Sequence, residues 1–429
     1  MRGGEPITFV ALGASNTVRG GCQQWQSPSK CSTPKYCDLT EDGNPHGWLL
    51  QAFTAINRTW PHPQHRLVNH AMMATGPEAF VRCLNKYVPV EADAVLLSFA
   101  DMCAPIRDDK QPETVEETAR ASYGVALEAI IRRLNQQADP PAILFFNVFL
   151  WTNFWHCRGL CHFSQSCDPY LGELAHFYHA SRVGMREALW HEAHDEAHEL
   201  PRETRISTGS PAHTRRYEWE GWTIEGGRHL DLGNGDKLAA ELLFYWARRV
   251  YEHAVPRAAP DMRVVGWLSE GGLRSKGAAS RAEGAASCFS FDDNFGGLVA
   301  APRVVAARGW RYVELDSASA VGPERLKRKP GYKASKVDAV LEVDTLSSGP
   351  HQVSVGFLRT YSSQAVVRLS CLAPCRCVPS SLSAHSDATT STTVFSSALA
   401  VESPASKNCH IELRLLSEGV FKFNGLQIF

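Results

Sequence analysis

A serine nucleophile needs a base within hydrogen-bond reach and donors for the oxyanion that forms. Two stretches of this chain read as the halves of such a device. The first is ITFVALGASNT, residues 7–17. Its apolar run, 7–12, has the length and composition of a buried strand, and it breaks at once into Gly13-Ala14-Ser15-Asn16-Thr17. Gly13 allows a sharp exit. Ser15 then falls at the carboxyl end of a strand, where open α/β sheets keep their binding crevices. Taken alone, Gly-x-Ser is a common tripeptide that turns the chain, with Ser15 as a helix cap, and that reading comes first until a base is found. The second stretch is Gly227-Arg228-His229-Leu230-Asp231, directly ahead of a long helix. A loop after the last strand of such a sheet opens on the same edge as the loop holding Ser15. His229 is therefore the candidate base, 214 positions from the candidate nucleophile.

Strands and helices alternate around these two points. Residues 66–69, 92–100 and 142–151 read as further strands. Residues 47–60, 114–137, 171–180, 186–197 and 238–253 read as helices, with 181–184 separating two of them and 78–86 as a short extra one. Trp48, Trp151, Trp190 and Trp246 read as packing rather than as sugar platforms. The alternation predicts a mostly parallel sheet with helices on both faces, a three-layer α/β/α domain.

From residue 262 the pattern changes to short runs of alternating apolar and polar residues between Gly, Ser and Pro turns. Runs at 264–267, 288–291, 309–315, 340–343, 351–358, 365–370, 410–415 and 421–429 predict a β-sandwich. The expected division is an α/β domain over 1–253, a linker over 254–262 and the sandwich over 263–429. The Ser/Thr/Ala-rich stretches 269–287 and 380–397 read as loops, and so does the basic run 324–333.

A net charge of −1 argues against nucleic acid or an anionic membrane as the main partner. No apolar run approaches the ~18 residues of a bilayer span. The chain begins close to its first strand with no leader-like segment, which reads as a cytosolic protein or as a start that omits a leader. The 13 cysteines favour the second reading. They cluster as Cys22, Cys31 and Cys37, as Cys157, Cys161 and Cys167, and as Cys371, Cys375 and Cys377 with Cys409 beyond. Such sets across polar loops read as disulfides of a secreted or secretory-lumen protein, with zinc as the rival reading. The sequon Asn57-Arg58-Thr59 agrees with secretion. No metal or cofactor is called for.

Residues 7–253 resemble the SGNH (GDSL-type) hydrolases. VALGASNT at 10–17 is similar to the family's first block, with Ser15 at the nucleophile. RLVNHAMMATG at 66–76 resembles the second block, its glycine falling at Ala71. LSFADMC at 97–103 resembles the third, its asparagine falling at Met102. GRHLDLGNGDKLAAELL at 227–243 resembles the last, with His229 at the base. The resemblance implies a serine esterase acting on O-acyl esters, with Ser15 and Ala71 N–H groups holding the oxyanion; by analogy with similar domain pairings the ester is an O-acetyl carbohydrate. The family's Asp before its His falls at Gly226, leaving Glu225 or Asp231 to orient His229. Met102 cannot donate a hydrogen bond, so Asn16, Asn69 or a protonated Asp101 are the polar groups near that gap. The alternative is a catalytically degenerate domain that binds a carbohydrate or partner.

Overall fold

β1 (Thr8–Gly13) is buried along its whole length, as a strand flanked on both edges and covered on both faces must be. The computed structural model describes residues 5–18, 47–72, 74–102, 123–148, 168–189, 223–224, 229–230, 234–253, 287–291, 299–315, 328–360, 362–386, 391–405 and 407–429. In it β1 lies between β2 (Arg66–Asn69) and β3 (Ala94–Ser98), with β4 (Ala142–Asn147) and β5 (Ser181–Gly184) continuing the sheet. Every pairing is parallel. The order β2-β1-β3-β4-β5 reverses direction between β1 and β3, which makes their carboxyl ends the topological switch point. Gly13 stands opposite Ser98 in the ladder, so the two strands end level with one another.

Alternation along the strands sends side chains to both faces. Phe9, Ala11, Leu96, Leu144 and Phe146 join a core with Trp48, Leu49 and Phe53 of α2 (Trp48–Thr59) and Leu243 of α7 (Asn234–His253). The intervening Val10, Leu12, Val95, Leu97 and Phe145 are buried as well. α5 (Gly124–Asn135) buries Leu127, Ile130, Ile131 and Leu134, the stripe expected of the predicted helix 114–137, whose first part lies outside the described residues. α6 spans Asp168–Phe177. Residues 181–184, expected only to separate two helices, are instead the edge strand β5. Four partly exposed residues with a glycine and an arginine carry too little periodicity to reveal a strand.

The second half is antiparallel. A seven-stranded sheet contains β10 (Arg311–Leu315), β11 (Arg328–Ala334), β19 (Phe421–Ile428), β13 (His351–Arg359) and β16 (Thr392–Phe395) in that order, with β8 (Ser287–Ser290) on β19 and β17 (Leu399–Val401) on β13. A five-stranded sheet runs β15 (Ser380–Ser383), β14 (Val366–Cys371), β18 (His410–Leu415), β12 (Val340–Asp344) and β9 (Arg303–Arg308). β18 shows why the sandwich forms: Ile411, Leu413 and Leu415 are fully buried, while His410, Glu412 and Arg414 alternate outward. Two predicted loops are corrected. The basic run ends in β11, where Ala334 is buried, and the Ser/Thr-rich stretch contains β15 and β16.

The chain divides into two compact units, Met1–Met72 with Val88–Ala278 and Met73–Tyr87 with Ala279–Phe429. Residues read from sequence as one helix of the first domain thus group with the sandwich, as two short turns, α3 (Glu78–Val81) and α4 (Leu84–Tyr87). Thr393 N–H donates to Ala74 O (2.7 Å), Gln427 Nε2 to Ala79 O (3.2 Å), and the Arg82 guanidinium lies 3.8 Å over the Phe429 ring. A Cys83–Cys288 disulfide closes the attachment. The expected third cysteine set forms Cys371–Cys377 and Cys375–Cys409. The other two sets, the 254–262 linker and the 264–267 run lie outside the described residues. Among the described residues no helix is long and apolar enough to cross a membrane, and no three His, Cys, Asp or Glu side chains gather as metal ligands.

Candidate active site

Ser15 opens a single helical turn, α1 (Ser15–Val18), directly beyond the end of β1. The turn is held against β3. Ala14 N–H donates to Ser98 O (3.3 Å), and Thr17 Oγ1 donates to the same oxygen (3.4 Å). Gly13 is required by this close approach: a Cβ there would sit 2.5 Å from Ser98 O and collide with the Thr17 side chain. The small residue at the strand exit therefore has a packing reason as well as a turning one.

Asn16, 1% exposed, is where the surrounding segments meet. Its Nδ2 donates to Asp101 Oδ2 (3.1 Å), in the short turn after β3, and its own N–H points at the same oxygen (3.4 Å). Trp48 Nε1–H donates to Asn16 O (2.9 Å), while the indole stacks on Phe146 at a centroid distance of 4.5 Å. Leu230 N–H donates to Asn16 Oδ1 (3.1 Å) in a fully buried bond between residues 214 positions apart. Leu230 forms β7 (His229–Leu230), which pairs with β6 (Thr223–Ile224), and β7 packs against α1.

The loop after β2 runs along the exit of β1. His70 N–H donates to Ala11 O and Met72 N–H to Gly13 O, both at 2.9 Å. Asn69 Nδ2 donates to Thr17 O (2.7 Å), and Asn69 Oδ1 accepts the Ala71 N–H (3.1 Å).

No family model matches this chain, and no curated protein matches it in sequence. Solved structures do. A two-domain esterase active on acetylated mannans, co-crystallized with mannopentaose, aligns over 99% of this chain and 91% of its own at 17% identity and TM-score 0.50. A second crystal structure of such an esterase aligns over 99% and 92% at 15% identity and TM-score 0.52. A lipase/acylhydrolase from Enterococcus faecalis covers 59% of this chain and all of its own, at 13% identity and TM-score 0.35. The first unit has an SGNH-type fold.

Within this SGNH-type unit the four sequence blocks gather at one end of the sheet. Ser15, Asn16, Asn69, Ala71 and Asp101 surround the ends of β1, β2 and β3, and the backbone of 229–230 joins them through Asn16. Of the residues expected near an oxyanion gap, Asn16 links the turn after β3 to β7 with the two ends of its amide, and Asn69 reaches Thr17 O with its Nδ2 while its Oδ1 accepts within its own loop. The Ala71 N–H, an expected oxyanion donor, is given to Asn69. Met102 lies in the turn after β3 with its N–H on Phe99 O (2.9 Å). Glu225, Gly226 and Asp231 lie outside the described residues. The hub role of Asn16 escaped sequence reading, because its partners come from positions 48, 101 and 230. Trp48 was read correctly as core, being fully buried, though not as a donor to the site.

Proposed function

We propose that the first unit is an ester hydrolase in which Ser15 is the nucleophile and His229 the base. The observation that carries this reading is the buried Leu230–Asn16 hydrogen bond, which joins the residue after His229 to the residue after Ser15. Ser15 Oγ attacks the ester carbonyl carbon as His229 takes its proton, and the carbonyl oxygen becomes an oxyanion. The ester C–O bond then breaks, and the leaving alcohol takes the proton from His229. Water, deprotonated by the same imidazole, releases the acid and restores Ser15. The oxyanion is held by the Ser15 N–H, and by the Ala71 N–H once it is shared with Asn69.

The substrate we assign is an O-acetyl ester on a carbohydrate. Supporting it are the two-unit layout and the full-length likeness to an esterase active on acetylated mannans. The three disulfides among the described residues support a setting outside the reducing cytosol. A second reading keeps the fold as a binding domain. It is favoured by the Ala71 N–H being already engaged and by an acceptor, Asp101, beside Asn16.

The test is hydrolysis of p-nitrophenyl acetate and acetate release from acetylated mannan by wild type and Ser15→Ala. Loss of at least roughly a thousandfold in the variant is expected for a nucleophile. Equal rates in the two proteins, or polysaccharide binding without acetate release, decide for the binding reading.

A further inference from the structure

We infer that Asn16 is the positioning residue for His229, an inference that rests on the Ser15–His229 reading above. β6 and β7 form their own two-stranded sheet and make no ladder with the five-stranded sheet among the described residues. The segment carrying His229 is registered to the nucleophile by other means. These are the buried Leu230 N–H···Oδ1 bond to Asn16 and the Leu230 side chain, which is 2% exposed in the core with Leu243 and Phe146.

The amide is held in one orientation. An ionised carboxylate only accepts, so Asp101 Oδ2 takes the NH2 end and turns the oxygen toward Leu230. Trp48 locks the residue from its own carbonyl. The anchored N–H belongs to the peptide bond between His229 and Leu230, so any slip of β7 passes directly to the base. A base must lie within about 2.6–3.2 Å of its proton. Misplacement by about 1 Å is enough to lower a rate roughly a hundredfold.

Two variants test this alongside His229→Ala, with kcat and KM measured on p-nitrophenyl acetate. Asn16→Leu keeps the branched heavy-atom outline and removes both polar ends. Its kcat is expected to fall roughly 30- to 100-fold, with KM within about threefold of wild type. Asn16→Asp keeps an acceptor for Leu230 but sets a second carboxyl against Asp101, so the pair must share a proton. Its kcat relative to wild type should therefore climb as pH falls from about 8 to about 6, opposite to the acid loss of a histidine base. Loss of a merely structural bond produces no such climb. Full Asn16→Leu activity overturns the inference, and so does a flat Asn16→Asp ratio. If Asn16→Leu does not fold, by near-ultraviolet circular dichroism, the Asn16→Asp ratio decides alone. An inactive wild type, or an active His229→Ala, removes the underlying reading instead.

Discussion

His65 shows how one residue couples charge to fold in the first unit. It is 4% exposed, at the start of β2. Its Nδ1 accepts the Ile7 N–H (2.9 Å) ahead of β1, and its Nε2 lies 2.8 Å from Trp60 O. That pairing calls for the neutral ring with its proton on Nε2. Burial is the main cause lowering its pKa below the ordinary 6.5; the Trp60 carbonyl and Asp93 raise it, while His62 lowers it further. Because the folded value is depressed, the unfolded chain takes up the proton first on acidification. The stabilisation is complete above about pH 6.5 and is lost as pH falls through that value toward the folded one. The thermal midpoint of the first unit should accordingly drop on going from about pH 7 to about pH 5. His65→Gln, which can offer the same acceptor and donor without titrating, should show a shallower drop. Equal slopes in differential scanning calorimetry would remove His65 from the account.

At the scale of elements, α2 supports the site by more than its apolar stripe. Gly47, with φ of +85°, turns the chain so that Trp48 enters the core as the first residue of the helix. The indole then fills space against Phe146 and satisfies Asn16 O. Trp48→Phe keeps most of the packing but leaves that carbonyl without its donor, at a cost of about 1–3 kcal/mol. Denaturant unfolding measures this loss. Because Asn16 is also displaced, kcat toward an acetyl ester should fall more than KM changes. The pattern rule worked for α2, α5 and α7 because each presents an apolar face at helical spacing. It failed for β5 and β15, whose four residues are mostly exposed or half-buried and reveal their pairing only through a partner.

At the scale of the molecule, the sandwich unit is not one continuous stretch of chain. Residues 74–87 leave the first unit just after the Ala71 loop and are built into the second. Cys83–Cys288 bridges 205 positions, against 34 for Cys375–Cys409. In the chain-entropy view a longer closed loop removes more freedom from the unfolded state, about 5 kcal/mol against about 4. Replacing Cys83 and Cys288 together by serine should therefore lower the melting temperature of the sandwich at least as much as replacing Cys375 and Cys409. Calorimetry of the two double variants checks the order; a silent Cys83/Cys288 pair would show that residues 74–87 are held by their other bonds alone.

The residues alone were enough for the fold classes of both halves, because period-2 and period-3.6 burial are written locally into apolar spacing. They were also enough to put Ser15 just beyond the exit of the first strand and to mark out the cysteine set between 371 and 409. Tertiary structure decided what those residues touch. It gave residues 74–87 to the sandwich, turned a basic run and a serine-rich run into strands, and made Asn16 a meeting point. Each of these depends on groups brought together from distant positions, and hydrogen bonds across such separations leave no periodic trace in the chain.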